Sequence, residues 1–395
     1  MDYRLPVEKM KGVNFGGGIR EILALADEMQ RNGQDIIHLE LGRPDFDSPE
    51  CAKRAVVLAL EKGDVHYTDW AGTYELRREI AAKFKRDAGM DIDPDNEILV
   101  TVGAVEALST VFMTMLTHGD EVIVPAPYFP IYADQIMMAG GVIRAVPAKI
   151  ENGFKPDPAD IERAVTPKTR MIMINSPNNP TGATSTRAEL EAIAGIAKSR
   201  DLLVLSDECY EKFAYDDSAP HISIASLPGM KERTFTVSAA SKTFSMTGWR
   251  VGWLVMPAET RAFIIKCHQG LATCSNSFAQ AGVAEALRSA RSDVDRMIVE
   301  YKARRDMMVD MLSKIGGINV PIPRGAFYAF PDIKALGLPS IEFCSRLLSE
   351  TGVAAVPGQP FGAPDGYMRL AYCRPRNEIK EALTRMGDFV AKLKR

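Results

Sequence analysis

Several functional classes are excluded by what this sequence lacks. No apolar run approaches the roughly 18 residues needed to cross a bilayer, and the first eleven residues are mixed polar, without the apolar stretch of a signal peptide. No membrane partner is expected, and a cytoplasmic location is. Positive charge is neither in excess nor clustered: 48 Lys and Arg stand against 51 Asp and Glu, a formal net charge of -3, which argues against nucleic acid as a partner. The six cysteines (Cys51, Cys209, Cys267, Cys274, Cys344, Cys373) are scattered, with no C-x-x-C pair and no histidine at metal-ligand spacing, so reduced thiols and no metal site are expected. Neither H-E-x-x-H nor G-x-S-x-G occurs, which removes the usual metal-dependent and serine hydrolases. Tandem repeats and low-complexity stretches are also missing.

What remains is a globular composition, 46% hydrophobic and 25% charged over 395 residues, enough for one large and one small domain. A helical period over 19–31 ends at Asn32-Gly33, and a short apolar strand over 36–41 runs into Gly42-Arg43-Pro44-Asp45-Phe46, a loop whose backbone can approach a ligand. Helices follow over 49–62 and 73–87. From there apolar strands over 98–101, 121–125, 142–146, 171–175, 202–206, 234–237 and 253–256 alternate with helical stretches. Continuous apolar strands separated by helices predict a largely parallel sheet covered on both faces. In such sheets ligands bind beyond the carboxyl ends of the strands.

Those ends carry the informative residues. After Thr101, Gly103-Ala104-Val105 opens a helix, either a plain helix start or an anion site made by free backbone N–H groups. After Pro125 come Tyr128 and Phe129, whose rings suit core packing or a flat ligand. After Asn175 comes Ser176-Pro177-Asn178-Asn179-Pro180-Thr181-Gly182, a loop stiffened by two prolines and rich in amide donors. Asp207 closes a fully apolar strand, where a carboxylate loses hydration and needs a cation, either an arginine or a protonated pyridine nitrogen. Lys242 follows strand 234–237 through Ser238, Ala239, Ala240 and Ser241, small residues that leave room for a flat cofactor. Burial disfavours the ammonium form of such a lysine, and the free amine is able to form a Schiff base. A strand-end aspartate, a strand-end lysine, a phosphate-type turn and an amide loop are together the parts of a pyridoxal phosphate site.

Three segments resemble the signature of the class I/II pyridoxal-phosphate-dependent aminotransferases of fold type I. They are the loop 175–182, Asp207-Glu208-Cys209-Tyr210, and Ser241-Lys242-Thr243-Phe244-Ser245-Met246-Thr247-Gly248-Trp249-Arg250-Val251-Gly252. The loop 42–49 and Tyr367-Met368-Arg369-Leu370 are similar to further segments of the aspartate aminotransferase Iβ-like subgroup, and the resemblance covers nearly the whole chain. It implies an α/β fold with a mostly parallel seven-stranded sheet in a large domain, residues 46–288. A smaller α+β domain would be built from 1–45 and 289–395.

The resemblance also implies roles. Lys242 would bind the cofactor and shuttle the substrate's α-proton, Asp207 would keep the pyridine nitrogen protonated, and Tyr210 with Asn179 would bond the ring oxygen. Arg250 and the turn Gly103-Ala104-Val105 would hold the phosphate with Ser241 beside them, and Phe129 would stack on the ring. Arg369 would clamp the substrate α-carboxylate, helped by Asn179 and the Gly42 backbone, with Ile19 in a hydrophobic lid. Tyr67, and Ser275 or Asn276 with it, would reach the cofactor of a neighbouring subunit, which implies a homodimer acting on an amino acid and a 2-oxo acid.

Two positions depart from the family pattern. Ala239 stands where relatives often carry a phosphate-binding hydroxyl, leaving Ser238 or Ser241 to substitute, and Val105 stands where the aspartate-specific enzymes have a lysine. Without that cation a side-chain carboxylate is poorly compensated on burial, so neutral, apolar or aromatic donors are expected over aspartate. A carbon–sulfur β-lyase on the same scaffold, or a ligand-binding relative without activity, is the alternative.

Overall fold

The computed structural model describes residues 19–216 and 220–393. Its centre is a seven-stranded sheet in the spatial order Ile98–Thr101, Gly252–Val255, Thr234–Ala239, Leu203–Asp207, Thr169–Asn175, Glu121–Ala126, Val142–Pro147. All seven expected strands form, with bounds shifted by one or two residues. Six run parallel. Gly252–Val255 is antiparallel to both of its neighbours, a direction that apolar periodicity cannot report.

Residues made for both faces explain the layers. The inner strands are mostly apolar and mostly buried, and helices close over each side. On one face Phe112, Leu205 and Phe235 form part of a core with Val111 of the helix Ala104–Met115. On the other, Ile172 and Val204 meet Ile193 of the helix Arg187–Ser199, and Trp253 meets Phe84 and Val283. The helix Tyr74–Ala88 starts where the Thr73 side chain accepts from the Leu76 N–H and stops at Gly89, whose φ of 68° lies in the left-handed region.

A second set of strands carries the rest of the chain. Tyr328–Ala329, Met368–Ala371 and Val356–Pro357 form an antiparallel sheet, and Ile37–His38 pairs in parallel with Val353–Ala354. The strand expected over 36–41 is therefore only two residues long, although its extended course continues: the Leu39 N–H bonds the Ala354 oxygen and the Leu39 oxygen accepts from Ala371. Helices Arg291–Ser313, Ser340–Thr351 and Arg376–Leu393 enclose a core that joins Ile22, Ala26 and Leu39 to Phe327, Leu347, Leu383 and Met386. No described helix is long and apolar enough to cross a membrane.

Register places the chemistry. Asn175, Asp207 and Val237 lie side by side across three adjacent parallel strands. The ends of these strands therefore form one edge, and the turn after Thr234–Ala239 delivers Lys242 to it.

Candidate active site

Lys242 sits in the short helix Ala240–Thr243, which leaves the strand through the small buried residues Ala239 and Ala240. Its Nζ donates to the main-chain oxygen of Gly42 at 2.7 Å and lies 5.9 and 5.8 Å from the ring centres of Tyr210 and Phe327. Burial pushes the pKa of this amine below the ordinary lysine value. The result is a lysine prepared to act as an uncharged amine.

Asp207 is buried, with donors from Tyr132 and Cys209 and no ion pair among the described residues. The Tyr132 hydroxyl donates to Oδ2 at 2.6 Å, and the Cys209 N–H donates to Oδ1 at 3.0 Å. Burial raises the Asp207 pKa, and the hydrogen bonds from Tyr132 and from the Cys209 N–H and thiol pull it back toward the carboxylate. Tyr132 is pushed the same way by burial and then by the neighbouring carboxylate, so the phenol keeps its proton and acts as the donor.

Nearby lies an anion site. Gly103 has a φ of 82°, and a β-carbon there would stand 2.3 Å from the Arg250 guanidinium. That guanidinium donates to the oxygens of Thr247 and Val102, both at 3.1 Å. It is thereby held beside the first turn of the helix Ala104–Met115, whose leading N–H groups have no intrahelical acceptor. Glycine at 103 is what allows the guanidinium and the helix end to converge.

The opposite wall is built around Arg369. Its guanidinium donates to Asn179 Oδ1 at 3.1 Å and to the Glu40 main-chain oxygen at 2.6 Å, and Nε has no partner. The rings of Tyr328 and Phe361 lie 4.7 and 4.9 Å from its central carbon. Tyr210 and Tyr328 share a hydrogen bond between their hydroxyls at 2.9 Å. Since Oδ1 of Asn179 serves Arg369, its NH2 is the group left for a ligand.

These side chains line one cavity of about 300 Å³. It gathers Gly42, Ala104, Val105, Phe129, Asn179, Asp207, Tyr210, Ser241, Lys242, Arg250 and Arg369, all expected from the sequence, while Gly103 borders it through Arg250. Of the two hydroxyls offered in place of Ala239, only Ser241 lines the cavity; Ser238 is buried on the strand without reaching it.

The sequence model of the family "Aminotransferase class I and II" matches residues 34–386. The chain belongs to this family. It is 43% identical over 379 residues to an aromatic-amino-acid aminotransferase of Thermococcus litoralis, and equally so to an aspartate aminotransferase of Pyrococcus abyssi. Each alignment covers 95% of this chain and 96% of the relative. Among solved structures, the aspartate aminotransferase of Thermus thermophilus with maleate superposes with a TM-score of 0.92 at 37% identity, covering 96% of this chain and 98% of that one. The aromatic aminotransferase of Pyrococcus horikoshii gives 0.89 at 41%, covering 93% and 99%.

Aminotransferases of this class use pyridoxal phosphate, and the cavity suits it. At one side stands a buried carboxylate with no ion pair among the described residues, which a protonated pyridine nitrogen would complement; at another the Arg250 guanidinium and a helix N-terminus converge, as a phosphate requires. A buried amine lies in the same cavity.

Three residues were expected to reach the cofactor of a neighbouring subunit rather than the cavity of their own chain, and Ile19 to form part of a lid. Tyr67 is 87% exposed and does not line the cavity of its own chain. Ser275 is buried and donates to the Thr101 oxygen, whereas Asn276 is exposed and caps the helix Ser277–Ser289 through its Oδ1. The side chain of Ile19 lies outside the described residues. Conversely, Tyr132, Tyr328, Glu40 and Thr247 line the cavity and were not expected there. For Tyr132 a signal existed: it follows Phe129 by three residues, across the start of a helix, where side chains share a face.

Proposed function

We propose that this aminotransferase moves the amino group of a neutral, apolar or aromatic L-amino acid to a 2-oxo acid by a ping-pong mechanism, and that it works as a homodimer. Pyridoxal phosphate, when bound, supplies the carbonyl that takes up the amino group and the ring that draws electrons from the α-carbon. The protein's part is positioning and proton transfer. Lys242 binds the cofactor and, once released, moves the proton on and off the donor's α-carbon at Nζ. Asp207 holds a positive charge on the ring nitrogen, and Tyr210 and Asn179 bond the ring oxygen. Arg250, Ser241 and the N–H groups of Ala104 and Val105 bind the phosphate, while Phe129 stacks on the ring. Arg369 uses two of its five N–H donors within the protein, leaving the others for the substrate α-carboxylate.

The donor preference rests on one observation. The cations that line the cavity are Lys242, Arg250 and Arg369, and each already has a task. Val105 is apolar, so a second carboxylate on the substrate would meet no free cation among the described residues. Steady-state kcat/KM for aspartate, phenylalanine, methionine and alanine with a common 2-oxo acid tests this. Phenylalanine or methionine should lead, and a clear preference for aspartate would overturn it.

The homodimer is supported by the concentration of exposed apolar side chains in the segment around Tyr67, among them Val57, Leu58, Val65, Trp70 and Tyr74, since large exposed apolar surface marks an interface. Sedimentation at micromolar protein should give twice the chain mass. The division into 46–288 and 1–45 with 289–395 is supported by the pairing of Ile37–His38 with Val353–Ala354 and by the core they share.

A further inference from the structure

Tyr132 opens the helix Ile131–Met138 and is almost fully buried. Its N–H bonds the Phe129 oxygen at 3.1 Å, and its ring meets the Phe129 ring edge-on, with centres 5.7 Å apart and planes at 87°. Its hydroxyl donates to Asp207 Oδ2 at 2.6 Å. One side chain thus touches the ring proposed to stack on the cofactor and the carboxylate proposed to meet its nitrogen. We infer that Tyr132 is a positioning residue that locks Asp207 and Phe129 into one unit, fixing the carboxylate plane relative to the stacking ring. The inference rests on the roles proposed above for those two residues.

A buried phenol needs a hydrogen-bond partner wherever it stands, so the bond alone would be ordinary core chemistry. What separates this case is the partner's situation. Asp207 has no ion pair among the described residues, and its other bonds, from the Cys209 N–H and thiol, come from its own turn. Donors from that one turn move with the aspartate and hold its last torsion, which is soft, less firmly than a donor from elsewhere. Tyr132 supplies a donor from a different element, which fixes the carboxylate and favours the charged form. The titratable groups that face Asp207 are Tyr132 from the helix, Glu208, Cys209 and Tyr210 from its own turn, and Lys242 from the turn after Thr234–Ala239. Tyr132 is the one among them whose hydroxyl donates to the carboxylate.

The test uses the holoenzyme. Tyr132→Phe keeps the edge-on packing and removes the bond to Asp207. The acid limb of the kcat/KM profile should then move up by about one pH unit, the pH-dependent visible spectrum of the bound cofactor should move with it, and cofactor dissociation should quicken about tenfold. Replacing Tyr132 with 3-fluorotyrosine changes almost no volume and strengthens the donor, so the acid limb should move down. In a double-mutant cycle, Tyr132→Leu and Phe129→Leu should be coupled at least about fivefold in cofactor dissociation. Wild-type profile, spectrum and dissociation rate in both the phenylalanine and fluorotyrosine proteins would overturn the inference. If instead Asp207→Asn left the cofactor spectrum and turnover unchanged, the proposed role of Asp207 itself would fall.

Discussion

The amine of Lys242 and the main-chain oxygen of Gly42 stand 2.7 Å apart although 200 positions separate them. The loop after the strand Ile37–His38 is thereby pressed against the lysine that ends the central sheet. Gly42 tolerates this because the hydroxyl of Tyr328 lies 1.8 Å from where its β-carbon would be. Three segments distant in sequence thus meet around Gly42.

Replacing Lys242 by alanine should lower kcat by at least about a thousandfold and abolish the visible absorbance of lysine-bound cofactor. Single-turnover spectroscopy with phenylalanine checks both.

In cofactor-free protein the same lysine costs stability. Its folded pKa is depressed by burial, so the unfolded chain binds the proton more readily. Stability therefore falls as pH drops from the unfolded value, about 10.4, toward the folded one, and the full cost is present below both. Thermal melts of Lys242→Met should exceed wild type in Tm, by a margin that widens as pH falls through this window.

Gly42→Ala should destabilise by about 1–3 kcal/mol through overpacking and depress turnover. Adding Tyr328→Phe should restore only part of the loss, because the ring carbon that bears the hydroxyl also lies 2.6 Å from the new methyl. Urea denaturation of the two variants gives the difference.

Val105→Lys places a cation in the cavity beside the first turn of the helix Ala104–Met115. The ratio of kcat/KM for aspartate to that for phenylalanine should rise by about tenfold or more, since a paired carboxylate no longer lacks compensation. An unchanged ratio would remove Val105 as a specificity determinant.

Lys83 and Glu211 form a buried pair with nitrogen and oxygen 2.8 Å apart. Burial pushes Lys83 toward the neutral amine, but the charges of Glu211 and Asp87 outweigh it and hold its pKa above the usual value. Glu211→Gln should cost about 1–3 kcal/mol, less than a fully unpaired buried charge because Asp87 still faces Lys83 at 3.3 Å, and Lys83→Met with Glu211→Leu should recover most of it. Chemical denaturation of the single and double variants measures both.

The sheet was legible in the sequence because a strand buried on both faces must be largely apolar, as 203–205 are and as 234–237 are apart from the small threonines 234 and 236. The strand-end residues Asp207 and Lys242 were legible for a related reason: a charge next to such a run has to be solvated or partnered. Local pattern therefore determined the strands and most of the helices and marked Asp207 and Lys242, while the other site residues were expected from the resemblance to a known family. Local pattern carried no information on which strand lies beside which, or in which direction. The antiparallel course of Gly252–Val255, the choice of Ser241 over Ser238 at the cavity, the intrusion of Tyr328 at Gly42 and the bond from Tyr132 to Asp207 were decided only by the tertiary structure. Each depends on the lateral order of elements far apart in the chain, and periodicity records whether a side chain is buried but not what it is buried against.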